Sequence, residues 1–324
     1  MKKTYVLASL AFACSIGLAA CSSSEESSVK EASSKQTEQK AEAELTEQNI
    51  TYLGKDYSVP AEISTLAAAS LESMEDAAIL GVKPAGAITV GGELPEYLAE
   101  DLQGAKSIGE KTQPNYETLL EMKPDVILGT SKFQPDVAEQ LNKVATMFPV
   151  SHVSTDWEDN LRLMAELTGK QDQADQIINQ YKEDAQDLKA KAEESLKDKK
   201  VITIRVRGGS LFLYPESVYF NPVLYSDLGL SVPEEIKAVK AQEMIPLEKL
   251  AEMNPDYIFL QFAENENAEN PAALDELTNN PIWKSIEAAK NDNVFVNAVD
   301  PMAQGGTAWS KTAFLKAAGE NLFK

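Results

Sequence analysis

Four cations in this 324-residue sequence stand where a binding site could use them. Lys132 follows the apolar run DVILG at 125–129, within Gly129-Thr130-Ser131-Lys132. Lys111 closes Ile108-Gly109-Glu110-Lys111, in a loop just ahead of Pro114. Arg205 and Arg207 lie in VITIRVRGG; side chains on a strand alternate, so they share one face with Thr203 while Ile202, Ile204 and Val206 take the other. Open α/β sheets bind ligands beyond the carboxyl ends of their strands, and these positions therefore predict a cleft that receives an anion. A close cation–anion pair is worth roughly 4 kcal/mol at an effective dielectric of 20, before desolvation. Screening over about 8 Å at physiological salt keeps remote acids from cancelling such a cluster. The plainer alternatives are solvated lysines and a pair of arginines guarding an exposed sheet edge.

Two acids recur at equivalent positions. ETLLEMKPDVIL at 117–128 and EKLAEMNPDYIF at 248–259 agree at seven of twelve residues, at an offset of 131. Glu117 and Glu248 each open a helical segment after a Pro-containing lead. A carboxylate there interacts favourably with the helix dipole; one on each of two like lobes could also dock a partner carrying two arginine pockets.

Other chemistries are poorly served. His152 is the single histidine and Cys14 and Cys21 are the two cysteines, which excludes a Cys/His zinc site. There is no GxSxG, HExxH or P-loop, and no serine is marked as a nucleophile beside His152, so no hydrolase is indicated. The protein is expected not to be an enzyme, and His152 is expected to be structural. With 30 Lys+Arg against 51 Asp+Glu, a formal charge of −21, nucleic acid is an unsuitable partner.

The elements that must position these residues alternate. Apolar runs at 87–90, 125–129, 201–206, 257–262 and 293–299 are separated by amphipathic stretches such as 70–80 and 117–122, a pattern that predicts α/β architecture. The repeat predicts two lobes of like fold, with Pro124 and Pro255 ending a helix before each strand. After Gly169, the stretch 170–199 carries Ala174, Ile177, Ile178, Tyr181 and Leu188 on one stripe, as a long connecting helix would. The expected organisation is an N-terminal lobe at 50–168, a connecting helix at 169–199 and a C-terminal lobe at 200–324.

The N-terminus predicts the compartment. Lys2 and Lys3 precede an apolar stretch from about Tyr5 to Leu18, too short for a membrane span of ~20 residues, and then small residues. Leu18-Ala19-Ala20-Cys21 resembles the lipobox of bacterial lipoproteins, which implies a signal peptide at 1–20 and a lipid on Cys21. Loss of the leader would leave 28 basic against 51 acidic residues, a charge of −23. Residues 21–49, rich in Ser, Glu, Lys and Gln, read as a disordered tether spanning roughly 30 Å.

Six further stretches carry a specific resemblance: SLESMEDAAILGV, PNYETLLEMKPDVIL, PVSHVSTDW, VYFNPVLYSDLGL, NPIWKSIEAAK and DPMAQGGTAWSK, spread from Ser70 to Lys311. The chain resembles the iron-siderophore-binding lipoproteins of ABC importers. The resemblance implies two Rossmann-like lobes joined by a long helix, the helical-backbone or class III type of periplasmic binding protein. It implies capture of a ferric siderophore, an anionic triscatecholate above all, and delivery to a membrane permease and its cytosolic ATPase. The iron is held by the siderophore, so no protein metal site or cofactor is implied beyond the lipid. By motif, the basic triad falls on Lys111, Lys132 and Arg207, with Arg205, Lys240 and Gln242 as further contacts and Glu117 and Glu248 as the permease-docking acids. Hydroxamate, petrobactin-type or citrate chelates, haem and cobalamin are the alternative ligands. A monomer, lipid-anchored on the extracytoplasmic face, is implied. Two residues depart from the family pattern: Gly208, where a Gln is usual, and Glu93, where a Lys is expected.

Overall fold

The computed structural model describes residues 47–323. The leader, Cys21 and most of the predicted tether lie outside the described residues. The tether's end is corrected: Glu47–Asn49 belong to strand β1 (Glu47–Tyr52), paired antiparallel with β2 (Lys55–Pro60). Their polar sequence concealed this, because β1 buries Ile50 and Tyr52 and leaves its first residues at the surface. Leu53 and Gly54 both take positive φ, the conformation of the two-residue turns that join right-twisted strands.

The first sheet has six strands: β3 (Leu66–Ala68), β4 (Gly86–Thr89), β5 (Lys106–Glu110), β6 (Gln113–Pro114), β7 (Val126–Thr130) and β8 (Thr146–Val150). Their order is β6-β5-β4-β3-β7-β8, and all pairs are parallel except β5–β6. Helices α1 (Leu71–Ile79), α2 (Tyr116–Met122) and α3 (Pro135–Val144) supply the crossovers, and α4 (Trp157–Thr168) leads away. Gly169, at φ 68, ends α4 in the left-handed conformation that glycine accepts without strain. Helix α5 (Gln171–Ser195) then runs 25 residues, about 37 Å at 1.5 Å per residue. Ala174, Ile178, Tyr181, Ala185 and Ala192 form its buried stripe.

The second sheet, in order β11-β10-β9-β12-β13, contains β9 (Val201–Arg207), β10 (Ser210–Leu213), β11 (Glu243–Ile245), β12 (Tyr257–Phe262) and β13 (Val294–Val296). Strands β9, β12 and β13 are parallel, and β10 and β11 extend the sheet antiparallel. Short helices α6 (Glu234–Ala238), α7 (Leu247–Met253), α8 (Ala273–Asn279) and α9 (Glu287–Lys290) connect them, and α10 (Ala308–Leu322) closes the chain. Strand β13 stops short of the apolar run that predicted it. Asn297 turns to positive φ, and its side-chain amide donates to the Phe262 carbonyl while its carbonyl accepts the Phe262 N–H, replacing the next ladder bonds.

The internal repeat acquires a physical reason. Helices α2 and α7 end on Lys123 and Asn254 in the left-handed conformation, and Pro124 and Pro255 follow. The aspartates then bind the neighbouring strand: Asp125 accepts the N–H groups of Ser64 and Thr65, and Asp256 accepts that of Lys200. Each carboxylate thereby sets the register between the parallel strands β3 and β7, or β9 and β12.

Helix α10 follows the second sheet but packs on α1, below the first. Glu75 of α1 is fully buried and accepts hydrogen bonds from the hydroxyls of Tyr97, Thr307 and Ser310 and from the Gln304 N–H. Burial pushes its carboxyl up to about 7, against those four bonds, which favour the ionised form. The unfolded chain releases this proton near 4.5, so between those values the folded state holds the extra proton and stability falls as pH rises. The expected size is at most about 3 kcal/mol between pH 4.5 and pH 7. Urea unfolding of the described region at pH 5 and pH 8 should show a smaller loss in Glu75→Gln than in the wild type, the remainder coming from the neighbouring buried Asp76, whose carboxyl burial also raises; parallel pH profiles would refute it.

Candidate functional site

A cavity of about 630 Å³ opens where the carboxyl ends of both sheets meet. The strand-end rule accounts for its lining. Glu72 follows β3, Lys111 follows β5, Lys132 follows β7 and His152 follows β8 on one side. On the other, Arg205 and Arg207 end β9 and Glu266 follows β12. Lys240 and Gln242, which precede β11, and the segment at 302–306 complete the rim.

All six ligand-binding positions named from the sequence line this one cavity. Their surroundings differ. Lys111 is half-buried, and its side chain makes no hydrogen bond or ion pair among the described residues; burial lowers its pKa, and Arg207, Arg205 and Lys132 add to that, against Glu266. Its loop is held by Glu110, whose carboxylate accepts from the Thr89 hydroxyl and the N–H groups of Gly91 and Gly92. Lys132 Nζ lies 2.8 Å from Glu72 Oε1, a carboxylate whose side chain is only 4% exposed. Arg205 is almost buried: its Nε is 2.8 Å from Glu266 Oε2, Nη1 donates to the Tyr219 hydroxyl at 3.3 Å, and the guanidinium lies over the Tyr219 ring. Arg207 reaches the other oxygen, Glu266 Oε1, at 3.0 Å and donates to Gln242 Oε1 at 3.0 Å. Lys240 is exposed at the rim.

The edge-strand alternative for the arginines does not hold, because β9 is flanked by β10 and β12 and both its faces are buried. The hairpin turn after it uses Gly208 at φ 52 and Gly209 at φ 73. A β-carbon at Gly208 would meet no atom within 4 Å, although the positive φ there would strain any residue with a side chain. Glu93 is exposed and is not among the residues lining the cavity.

Sequence reasoning, confined to cations, missed the acids of the site. Glu72 and Glu266 obey the same strand-end rule, and applying it to every strand would have found them. His152, expected to be structural, is exposed in the cavity wall. The reason is its place two residues past the end of β8, on the ligand side of the sheet. Phe133, Tyr214, Val218, Tyr219 and Met302 give the cavity apolar walls, with the Tyr214 and Tyr219 rings 4.7 Å apart.

The lining holds five cations (Lys111, Lys132, Arg205, Arg207, Lys240) and two acids (Glu72, Glu266), a formal charge of +3. The two acids grip three of the cations from below, which preorganises them for a polyanion. Glu117 and Glu248 lie elsewhere, exposed in the first turns of α2 and α7, and their side chains make no hydrogen bond or ion pair among the described residues. No group of His, Cys, Asp and Glu able to hold a metal ion occurs among the described residues.

Comparison with known proteins agrees with this geometry. A family model described as "Periplasmic binding protein" matches residues 66–298. The iron-uptake system-binding protein of Bacillus subtilis is 49% identical over 305 residues, 94% of each chain. A probable siderophore-binding lipoprotein of the same organism is 30% identical over 312 residues, 93% of this chain and 90% of that one. The crystal structure of the B. subtilis triscatecholate siderophore binding protein FeuA, complexed with ferri-bacillibactin, superposes with a TM-score of 0.81 at 51% identity, covering 85% of this chain and 98% of that one. With its doubly wound sheets, long connecting helix and interlobe cleft, the chain belongs to the periplasmic-binding-protein family.

Proposed function

We propose that this protein captures a ferric siderophore of the triscatecholate class in the cleft between its sheets and delivers it to an ABC importer for iron uptake. The carrying observation is the charge of the cavity, +3 within a protein of −21. Catecholates in a six-coordinate ferric complex sum to a trianion, and its iron needs no ligand from the protein. Lys111, Lys132 and Arg207 are the primary contacts in this reading, with Arg205, Lys240 and Gln242 behind them. Charge-assisted hydrogen bonds to the outward oxygens supply affinity, and the tyrosines and Phe133 face the planar rings. The relatives support a ferric chelate as ligand, since some carry names specifying ferric citrate or hydroxamates, and the 51%-identical structure with ferri-bacillibactin bound supports the triscatecholate class. The reading makes the protein a carrier rather than an enzyme.

The lipobox-like Cys21 belongs to the same proposal, as the anchor that keeps the carrier at the outer face of the membrane. Among the described residues, no helix is long and apolar enough to cross a membrane.

The test is quenching of intrinsic fluorescence by a ferric triscatecholate, a ferric hydroxamate and ferric citrate. Tight saturable binding of the catecholate alone is expected; preference for either of the others would overturn the ligand class.

Glu117 and Glu248 are assigned to the permease. Changing both to Arg is expected to leave the dissociation constant within about twofold, since neither lines the cavity. Iron uptake by cells relying on the variant should fall at least tenfold, because like charges across an interface cost several kcal/mol. Uptake at the wild-type rate would remove the assignment.

A further inference from the structure

We propose that His152 is a ligand-contact residue, donating an Nε2–H hydrogen bond to the bound anion at neutral pH and adding a positive charge to the cleft once the ring is protonated. The inference deepens the siderophore reading and rests on it.

The geometry is local and specific. Ser131 Oγ accepts the backbone N–H of His152 at 3.2 Å and lies 2.8 Å from its Nδ1. Ser131 Oγ already accepts the His152 backbone N–H, and we assign its own proton to the contact with Nδ1. A neutral imidazole that accepts at Nδ1 carries its own proton on Nε2. The ring is exposed and lines the cavity, which leaves that N–H free to donate. No hydrogen bond to Nε2 is made within the described protein.

The charged groups acting on the ring come from three elements. Lys132, in the loop after β7, opposes its protonation; Glu72 of α1 and Asp156, in the turn before α4, favour it. Glu72 is engaged by Lys132, and Asp156 accepts the Ser151 hydroxyl. Burial first, and then Lys132, hold the ring below its ordinary pKa, so the empty cleft keeps a neutral donor at pH 7. A trianion in the cleft reverses the balance, and proton uptake by the ring then becomes linked to binding.

His152 is the single histidine in the sequence, so one imidazole reports unambiguously. The experiment follows its ring nitrogens by NMR in ¹⁵N-histidine-labelled protein, with and without a gallium(III) triscatecholate, the diamagnetic counterpart of the ferric complex. The free protein should show the Nε2–H tautomer. Saturation should shift Nε2 and raise the ring's pKa by about one unit, equivalent to about tenfold tighter binding by the protonated form. Correspondingly, His152→Ala should weaken binding at pH 7 roughly tenfold. His152→Gln, which keeps a donor, should recover part of that loss yet lack the extra tightening of the wild type between pH 7.5 and 5.5. Proton uptake by the ligand itself is common to both proteins and cancels. Binding of the gallium complex is read separately by fluorescence. Saturation with an unmoved imidazole overturns this proposal alone, whereas failure to saturate overturns the siderophore reading and this proposal with it.

Discussion

Changing Lys132 to Ala is expected to weaken binding of a ferric triscatecholate by about 10²–10⁴-fold, more than changing Lys111, although the Lys111 side chain, unlike that of Lys132, has no ion-pair partner among the described residues. Removing Lys111 costs one charge-assisted contact, typically about 1.5–3 kcal/mol, or roughly 10–100-fold. Removing Lys132 costs the same kind of contact and also uncovers Glu72, 2.8 Å from it in the structure. That carboxylate is 4% exposed and cannot turn away into solvent. At an effective dielectric of 20 and about 6 Å from a ligand charge, its repulsion adds roughly 2–3 kcal/mol. The double variant Lys132→Ala/Glu72→Gln should therefore recover about tenfold or more. Fluorescence titration of the three variants decides it: equal losses for Lys111→Ala and Lys132→Ala, with no recovery in the double variant, would mean that Glu72 does not face the ligand. Removing Lys111, Lys132 and Arg207 together should lower affinity by more than 10⁴-fold.

The second large effect falls on folding. Arg205→Met is expected to destabilise the protein by about 3–5 kcal/mol, because it strands Glu266 with only the half-buried Arg207 as partner. The same substitution breaks the contact with Tyr219, which packs against Phe220 and the core. Arg205→Met/Glu266→Leu removes both buried charges and should regain stability to within about 1–2 kcal/mol of the wild type, while binding stays impaired because Arg207 loses its anchor. Chemical denaturation of the single and double variants measures the coupling. A stable single variant would show that Glu266 is solvated well enough to stand alone.

Much of the architecture was legible because it is local. The alternation of apolar runs with amphipathic stretches, the Pro-Asp steps of the repeat and the stripe of α5 each depend on neighbours within a few residues. What escaped had weak local signals. Strand β5, Lys106–Glu110, buries only Ile108 fully, and β1 begins with Glu-Gln-Asn. The hairpin that recruits Glu47–Asn49 is settled by pairing with β2 rather than by their own preference for a strand.

The same division runs through the site. Cation type, strand-end position and strand alternation were readable, and they brought Lys111, Lys132, Arg205 and Arg207 to one cavity. The partners were not readable, because Glu266 meets Arg205 across 61 residues and Glu72 meets Lys132 across a comparable stretch. Such pairs depend on which chain ends a sheet brings together, and no periodicity in the sequence records that.

Residue type and short-range spacing suffice for the two like halves, the strand ends and the cations gathered there. How that charge is distributed depends instead on contacts between distant segments. The tertiary structure placed Glu72 and Glu266 against three of the cations, left the Lys111 and Lys240 side chains without ion pairs, and set His152 in the cleft wall. The physical reason is that Coulomb energy depends on separation in space and on burial, and both are set only when the two sheets fold against their shared helices.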